Sequence, residues 1–193
     1  MLTSPRAAVP PEVTIVVPMY NESATIAQNV EQLVSACERL GSTWELVLVN
    51  DGSTDGTGDR VQLLAQRDAR IRPISYGKNR GRGYALRRGF AVAQGDVVVT
   101  TEADLTYGTA IIEQLIHTLE REGVEITIAS PYLAGGQLEG VPWHRAWLSR
   151  YGNRVLKLAL GSRTATVSGM TRAYMRSVLD ALDLESDGKE IHL

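Results

Sequence analysis

Three features of this 193-residue chain predict an α/β fold with a mostly parallel, doubly wound sheet and helices on both faces. Short β-branched runs alternate with segments of helical periodicity, the order that builds a parallel sheet. The strand-like runs are apolar throughout rather than alternating, as strands covered on both faces are. Polar, glycine-containing loops follow several of them.

Taken in order, Val13 to Pro18 (VTIVVP) reads as the first buried strand. Ile26, Val30, Leu33, Val34, Cys37 and Leu40 then recur at helical spacing, with Asn21 or Ser23 as the expected cap. Trp44 to Asn50 (WELVLVN) is a second strand, running into the loop Asp51-Gly-Ser-Thr-Asp-Gly. A helix through Val61, Leu64 and Ala65 follows, with Asp55 read as its cap. A short strand from Arg72 to Ser75 leads to a glycine-rich turn and a helix from Tyr84 to Ala93. Asp96 to Thr101 is the next strand, Ile111 to Leu119 the next helix, and Glu125 to Ala129 a further strand. The proline-rich residues 1–12 read as a flexible lead-in and residues 13–193 as one domain, large enough for a proper core with 44% apolar residues.

Composition excludes several function classes. A net charge of -2 lacks the basic excess that nucleic-acid binding requires. Cys37 is the single cysteine, so no internal disulfide or cysteine–zinc cluster can form, and its apolar helical setting suits a buried side chain in a reducing compartment. No stretch reaches the roughly 18–20 apolar residues that span a bilayer. His117, His144 and His192 stand apart, without metal-ligand spacing or a nucleophile partner. Charge is nevertheless uneven: no acid falls between Gly140 and Leu179, while Arg145, Arg150, Arg154, Lys157, Arg163, Arg172 and Arg176 do. Such a block suits an anionic ligand or membrane surface, or a solvated helix face. As a helix, Arg145, Ser149 and Asn153 align, beside a face carrying Trp143, Trp147 and Tyr151.

In doubly wound sheets, ligands bind beyond the carboxyl ends of the strands. Pro18-Met-Tyr-Asn-Glu22, Asn50-Asp-Gly-Ser53 and Thr101-Glu-Ala-Asp104 fall there. In extended backbone Glu102 and Asp104 point the same way, and two convergent carboxylates with diphosphate oxygens suit Mg2+ or Mn2+. Alternatively Glu102 caps a turn. Asp51 can accept from a nucleobase N–H or a ribose hydroxyl, or hold its own loop as an Asx-turn. Asn79-Arg-Gly-Arg-Gly-Tyr-Ala85 puts Asn79, Gly81 and Gly83 before a helix N-terminus, suiting an anion or a close ligand approach, although it lacks the third glycine of a dinucleotide fingerprint.

Together with Val49 to Thr57, Gly95-Asp96, Glu102 to Leu105 and Ser168-Gly169, these segments resemble, in order and over nearly the whole chain, the family 2 glycosyltransferases of GT-A (Rossmann-like) fold. The nearest likeness is to the dolichyl- and polyprenyl-phosphate sugar synthases. The resemblance implies that Pro18, Tyr20, Glu22 and Asp51 hold the nucleoside of a nucleotide-sugar (UDP- or GDP-linked), and that Glu102 and Asp104 hold the metal and diphosphate. It implies that Arg145 and Ser149 handle phosphates of donor or acceptor, the acceptor being a polyprenyl phosphate or a cell-envelope glycan. An inverting displacement onto a lipid phosphate needs no strong base; onto a hydroxyl, Glu190 is the candidate base. The expected setting is cytoplasmic, peripheral at the inner face of a membrane, with a homo-oligomeric state left open. Four positions depart from the pattern: Glu102 replaces the first aspartate of D-x-D, Asn50 the first of Asp-Asp-Gly-Ser, Pro131 an arginine, and Ala165 an acid. Pro131 and Ala165, with the early stop relative to the family pattern, motivate a second reading, a non-catalytic nucleotide-sugar binding module. A nucleotidyltransferase or a Rossmann dehydrogenase would need a different loop after the first strand.

Overall fold

The computed structural model describes residues 10–130 and 169–187. Their strands form one six-stranded sheet in the order β3-β2-β1-β4-β6-β5. β1 (Val13–Met19), β2 (Trp44–Asn50), β3 (Ile71–Ser75) and β4 (Val97–Thr100) run parallel, joined through α1 (Ile26–Arg39), α2 (Thr57–Arg67) and α3 (Arg82–Phe90). α4 (Ala110–Glu122) leads to β5 (Ile126–Ile128), and β6 (Arg172–Met175) precedes α5 (Arg176–Ala181). β6 lies antiparallel between β4 and β5, pairing Thr100 with Arg172 on one side and Ile128 with Arg172 on the other. Periodicity assigned no strand there, because Arg172-Ala-Tyr-Met is too short and too polar at its start to stand out after a basic helical pattern.

The strand alternation divides the core into two layers. Ile15, Val17, Leu46, Leu48 and Val99 face Ile26, Val30 and Leu33 of α1, Val61 of α2 and Ile112 and Leu115 of α4. Val16, Val47, Val49, Val98 and Tyr174 face Ala85 and Leu86 of α3 and Leu179 of α5. α3 lies so close to the sheet that a Cβ on Gly89 would sit 2.3 Å from Val16 Cγ1. Cys37 is buried in the first layer, and burial pushes its thiol up to about 12, an inert state.

A buried polar network lies at the sheet end remote from the loops that follow β1 and β4. Glu45 accepts hydrogen bonds from Thr14 Oγ1 (2.7 Å), Arg72 Nη1 (2.7 Å) and the Gln94 amide (2.6 Å). A buried carboxylate is tolerable only when so fully partnered. At the other end, the chain leaves β1 toward β2 on one side and leaves β4 toward β5 on the other. The carboxyl ends of β1 and β4 therefore flank the point where strand order reverses, the place where such sheets bind ligands.

Candidate active site

The loops after β1 and β2 are stitched together by short polar side chains. The Asn21 amide donates to Ser53 Oγ (2.9 Å), and Asn21 Oδ1 accepts from the Thr54 amide (2.9 Å). The Glu22 amide donates to Thr57 Oγ1 (2.9 Å) and the Ser23 amide to Asp55 Oδ2 (2.9 Å). Asn21 adopts φ +57°, a left-handed conformation that asparagine tolerates. Neither Asn21 nor Ser23 caps α1: the cap position is Thr25, which makes no side-chain cap bond, and both residues serve the inter-loop stitching instead. Asp55 stands one residue before the cap of α2, Gly56, and accepts from the amide (3.0 Å) and hydroxyl (2.5 Å) of Thr57. The Thr57 hydroxyl, with the amides of Ser23 and Thr57, holds the Asp55 carboxyl well below the usual range.

The loop-holding Asx role falls to Asn50 rather than to Asp51. Asn50 Oδ1 accepts from the Ser53 amide (3.1 Å), closing the turn. Asp51, 4% exposed, reaches across to the glycine-rich turn and accepts from the amides of Arg80 (2.7 Å) and Gly81 (2.9 Å). The two turns touch: a Cβ on Gly52 would lie 2.4 Å from the Asn79 nitrogen, and Gly52 has φ +67°. Only glycine fits there.

After β4 the chain does not continue extended. The Leu105 amide donates to the Glu102 carbonyl (3.2 Å), so a turn, not a strand pleat, juxtaposes Glu102 and Asp104. Leu105 pays for this turn with φ +54°, a strained value for a branched side chain. Ala103 is anchored by Asn29 Nδ2 to its carbonyl (2.8 Å), and Asp104 Oδ1 accepts from the Thr106 amide (3.0 Å). The carboxylates feel one another. Burial and then Asp104 raise the Glu102 carboxyl, against a lowering by Arg82. Burial and then Asp104 also raise Glu22.

These groups line a single cavity of about 420 Å³, within the range of roughly 300–1,000 Å³ typical of ligand pockets. Pro18, Tyr20, Glu22, Asp51, Asn79, Gly81, Glu102 and Asp104, all predicted from sequence, meet there. Tyr20 is 46% exposed, a flat ring at the rim. Arg145, Ser149 and Glu190 lie outside the described residues, as do Pro131 and Ala165. Arg82, Met170 and Asp187 also line the cavity and carry no spacing signal in the sequence. Arg82 is the first residue of α3, Met170 precedes β6, and Asp187 follows α5.

Among the described residues no three carboxylate, imidazole or thiol groups gather as a metal cage. The fit to a hard cation is of another kind: Mg2+ and Mn2+ are held by one or two carboxylates together with phosphate oxygens and water. Glu102 and Asp104, whose mutual repulsion a cation would relieve, match that pattern.

The family model described as glycosyl transferase family 2 matches residues 14–183. The undecaprenyl-phosphate 4-deoxy-4-formamido-L-arabinose transferase of Pseudomonas aeruginosa (strain LESB58) is 32% identical over 171 residues, covering 88% of this chain and 49% of that protein. Its counterpart in Proteus mirabilis (strain HI4320) is 31% identical over 172 residues, covering 89% and 51%. The chain thus spans about half the length of these curated relatives. Among solved structures, the mannosyltransferase PcManGT from Pyrobaculum calidifontis, in complex with GDP-Man and Mn2+, superposes with TM-score 0.60 at 22% identity, covering 97% of this chain and 52% of that one. Glucosyl-3-phosphoglycerate synthase from Mycobacterium tuberculosis, with Mn2+, UDP and phosphoglyceric acid, gives 0.67 at 24% identity, covering 94% and 61%. These likenesses identify the GT-A fold.

Proposed function

The chain belongs to glycosyl transferase family 2, and from that premise we propose that it is an inverting, metal-dependent sugar transferase. Its donor on this reading is a UDP- or GDP-linked sugar and its acceptor a polyprenyl phosphate. The observation that carries the reading is the meeting of Asp51 with Glu102 and Asp104 in one cavity at the strand-order switch point.

The division of labour follows from each residue's surroundings. Asp51 spends one lone pair of each oxygen on the Arg80 and Gly81 amides, stands beside the Tyr76 hydroxyl, and lines the cavity, where its remaining acceptor capacity is assigned to a nucleoside N–H or hydroxyl. Tyr20 at the rim offers a ring face to a base. Glu102 and Asp104 are the residues that would hold Mg2+ or Mn2+ together with diphosphate oxygens. When bound, that cation neutralises charge on the departing diphosphate. The acceptor oxygen attacks the anomeric carbon as the bond to the diphosphate oxygen breaks, inverting the centre. A phosphate acceptor is already anionic near neutral pH, so no histidine base is required. Arg145 and Ser149 are assigned to the phosphates, and Glu190 to the proton should the acceptor be a hydroxyl. Two arabinose transferases named for undecaprenyl phosphate, each above 30% identity, support the lipid acceptor. With such an acceptor the protein would work at a membrane surface, and no described helix is long and apolar enough to cross one.

The test is transfer of labelled sugar from UDP- and GDP-sugars to undecaprenyl phosphate in Mn2+. The expected result is label in the lipid fraction, abolished by chelation. Donor binding without transfer or hydrolysis would instead favour the non-catalytic binding module. Absence of both turnover and donor binding would overturn the reading.

A further inference from the structure

We propose that Asp187 is a positioning residue of the donor pocket, which holds the glycine-rich turn in its binding shape through a strap formed by residues 182–187. The proposal rests on the donor reading given above.

The strap leaves α5 at Ala181 and returns across the start of α3. Leu184 packs against the second core layer, and its carbonyl accepts from Arg87 Nη1 (3.1 Å). Asp187 then makes three contacts with the turn and helix. Its carbonyl accepts from the Gly83 amide (3.1 Å), one of the first-turn donors that α3 itself cannot satisfy. Its carboxylate pairs with Arg87, and with Arg80 at 3.6 Å. Arg80 and Arg87 in turn lie over the Tyr84 ring, at 3.9 and 5.6 Å from its centroid, and Tyr84 meets Tyr76 edge-on at 5.2 Å.

The same turn is gripped from its other side by Asp51, through the amides of Arg80 and Gly81. Asp51, just after β2, therefore holds the backbone of Arg80 and Gly81, while Asp187 holds the Gly83 amide through its carbonyl and the Arg80 side chain through its carboxylate. Fit is tight: a Cβ on Gly81 would lie 2.9 Å from the Asp187 carbonyl oxygen, at φ +94°. The Asp187 side chain is 43% exposed, so its ion pairs are screened and contribute little as bare attraction. Their consequence is geometric. A turn ending on Gly81, with Gly83 in the first turn of the helix, is loose when free, and a donor binding to it would have to order it at the cost of affinity. Removing the tether therefore weakens donor binding and raises the donor KM more than it lowers kcat.

The experiment uses the full chain, with UDP and GDP titrated by calorimetry in Mn2+, and hydrogen exchange of the segment 78–85. Asp187→Asn, which keeps the backbone carbonyl, is expected to weaken nucleotide binding roughly tenfold. It should also speed exchange at 78–85 while the melting temperature stays near that of the wild type. Asp187→Glu should recover most of the affinity, and Gly81→Ala, which displaces the carbonyl, should reproduce the loss. Affinity and exchange in Asp187→Asn indistinguishable from wild type would overturn the proposal. So would a loss that follows the melting temperature and is not recovered by Asp187→Glu. If the wild type binds neither nucleotide, the donor reading itself fails, and unchanged exchange at 78–85 would reject the strap separately.

Discussion

At the scale of single residues, a neighbouring amide and acid divide their labour in a way their letters alone do not reveal. Asn50 and Asp51 are adjacent at the end of β2, yet Asn50 turns back to close its own loop and Asp51 reaches across to another. The sequence placed Asp51 at a ligand-binding strand end but left its Asx alternative open, because the partner amides lie 29 and 30 residues away. Glu102 and Asp104 were legible as a pair, though the extended geometry expected for them gives way to a turn strained at Leu105. Asp104→Asn should lower Mn2+-dependent transfer by roughly 100-fold or more, read as kcat/KM with a folded variant. A pH prediction follows from Glu22 and Glu102, whose carboxyls are raised from 4.5 by burial and by Asp104. An acid raised in the fold binds more protons folded than unfolded, so stability falls as pH rises from 4.5 through the raised values, and the cost is full above them. A bound cation offsets this cost only once the protons have left. The Mn2+-induced rise in melting temperature should therefore be larger near pH 7.5 than near pH 5; a pH-independent rise would refute the assignment.

At the scale of elements, close approach rather than propensity sets the geometry. The strands and helices were legible from β-branched runs and helical spacing, with boundaries shifted by a few residues: α3 begins at Arg82 rather than Tyr84 because Gly81 turns the chain there. β6 was not legible, since four residues inserted antiparallel between two strands leave no periodic trace. The contacts at Gly52 and Gly89 are likewise invisible in sequence, being made with residues far along the chain. Gly89→Ala should push α3 off β1 and cost about 1–3 kcal/mol of stability in denaturant melts. Gly52→Ala combines positive φ with a backbone clash against Lys78 and Asn79, so it should cost a similar amount and also weaken nucleotide binding. Gly52→Ala binding nucleotide like the wild type would show that the two turns need not touch for the pocket to form.

At the scale of the whole molecule, the site is where topology puts it. The connections leaving β1 and β4 run in opposite directions and open a crevice, and the residues predicted to share a ligand line one cavity there although they come from four separate segments. Sequence order carried that much, because each segment follows a recognisable strand. Asp187 escaped it, because nothing local ties an acid after α5 to a turn before α3. On this reading the crevice binds a nucleotide through Asp51 and a divalent cation through Glu102 and Asp104. Calorimetric titration of UDP and GDP into the protein with and without Mn2+ tests it most directly. One nucleotide should bind saturably in Mn2+, weakened by chelation and by Asp104→Asn; a folded protein that binds neither nucleotide with or without the metal would refute the assignment.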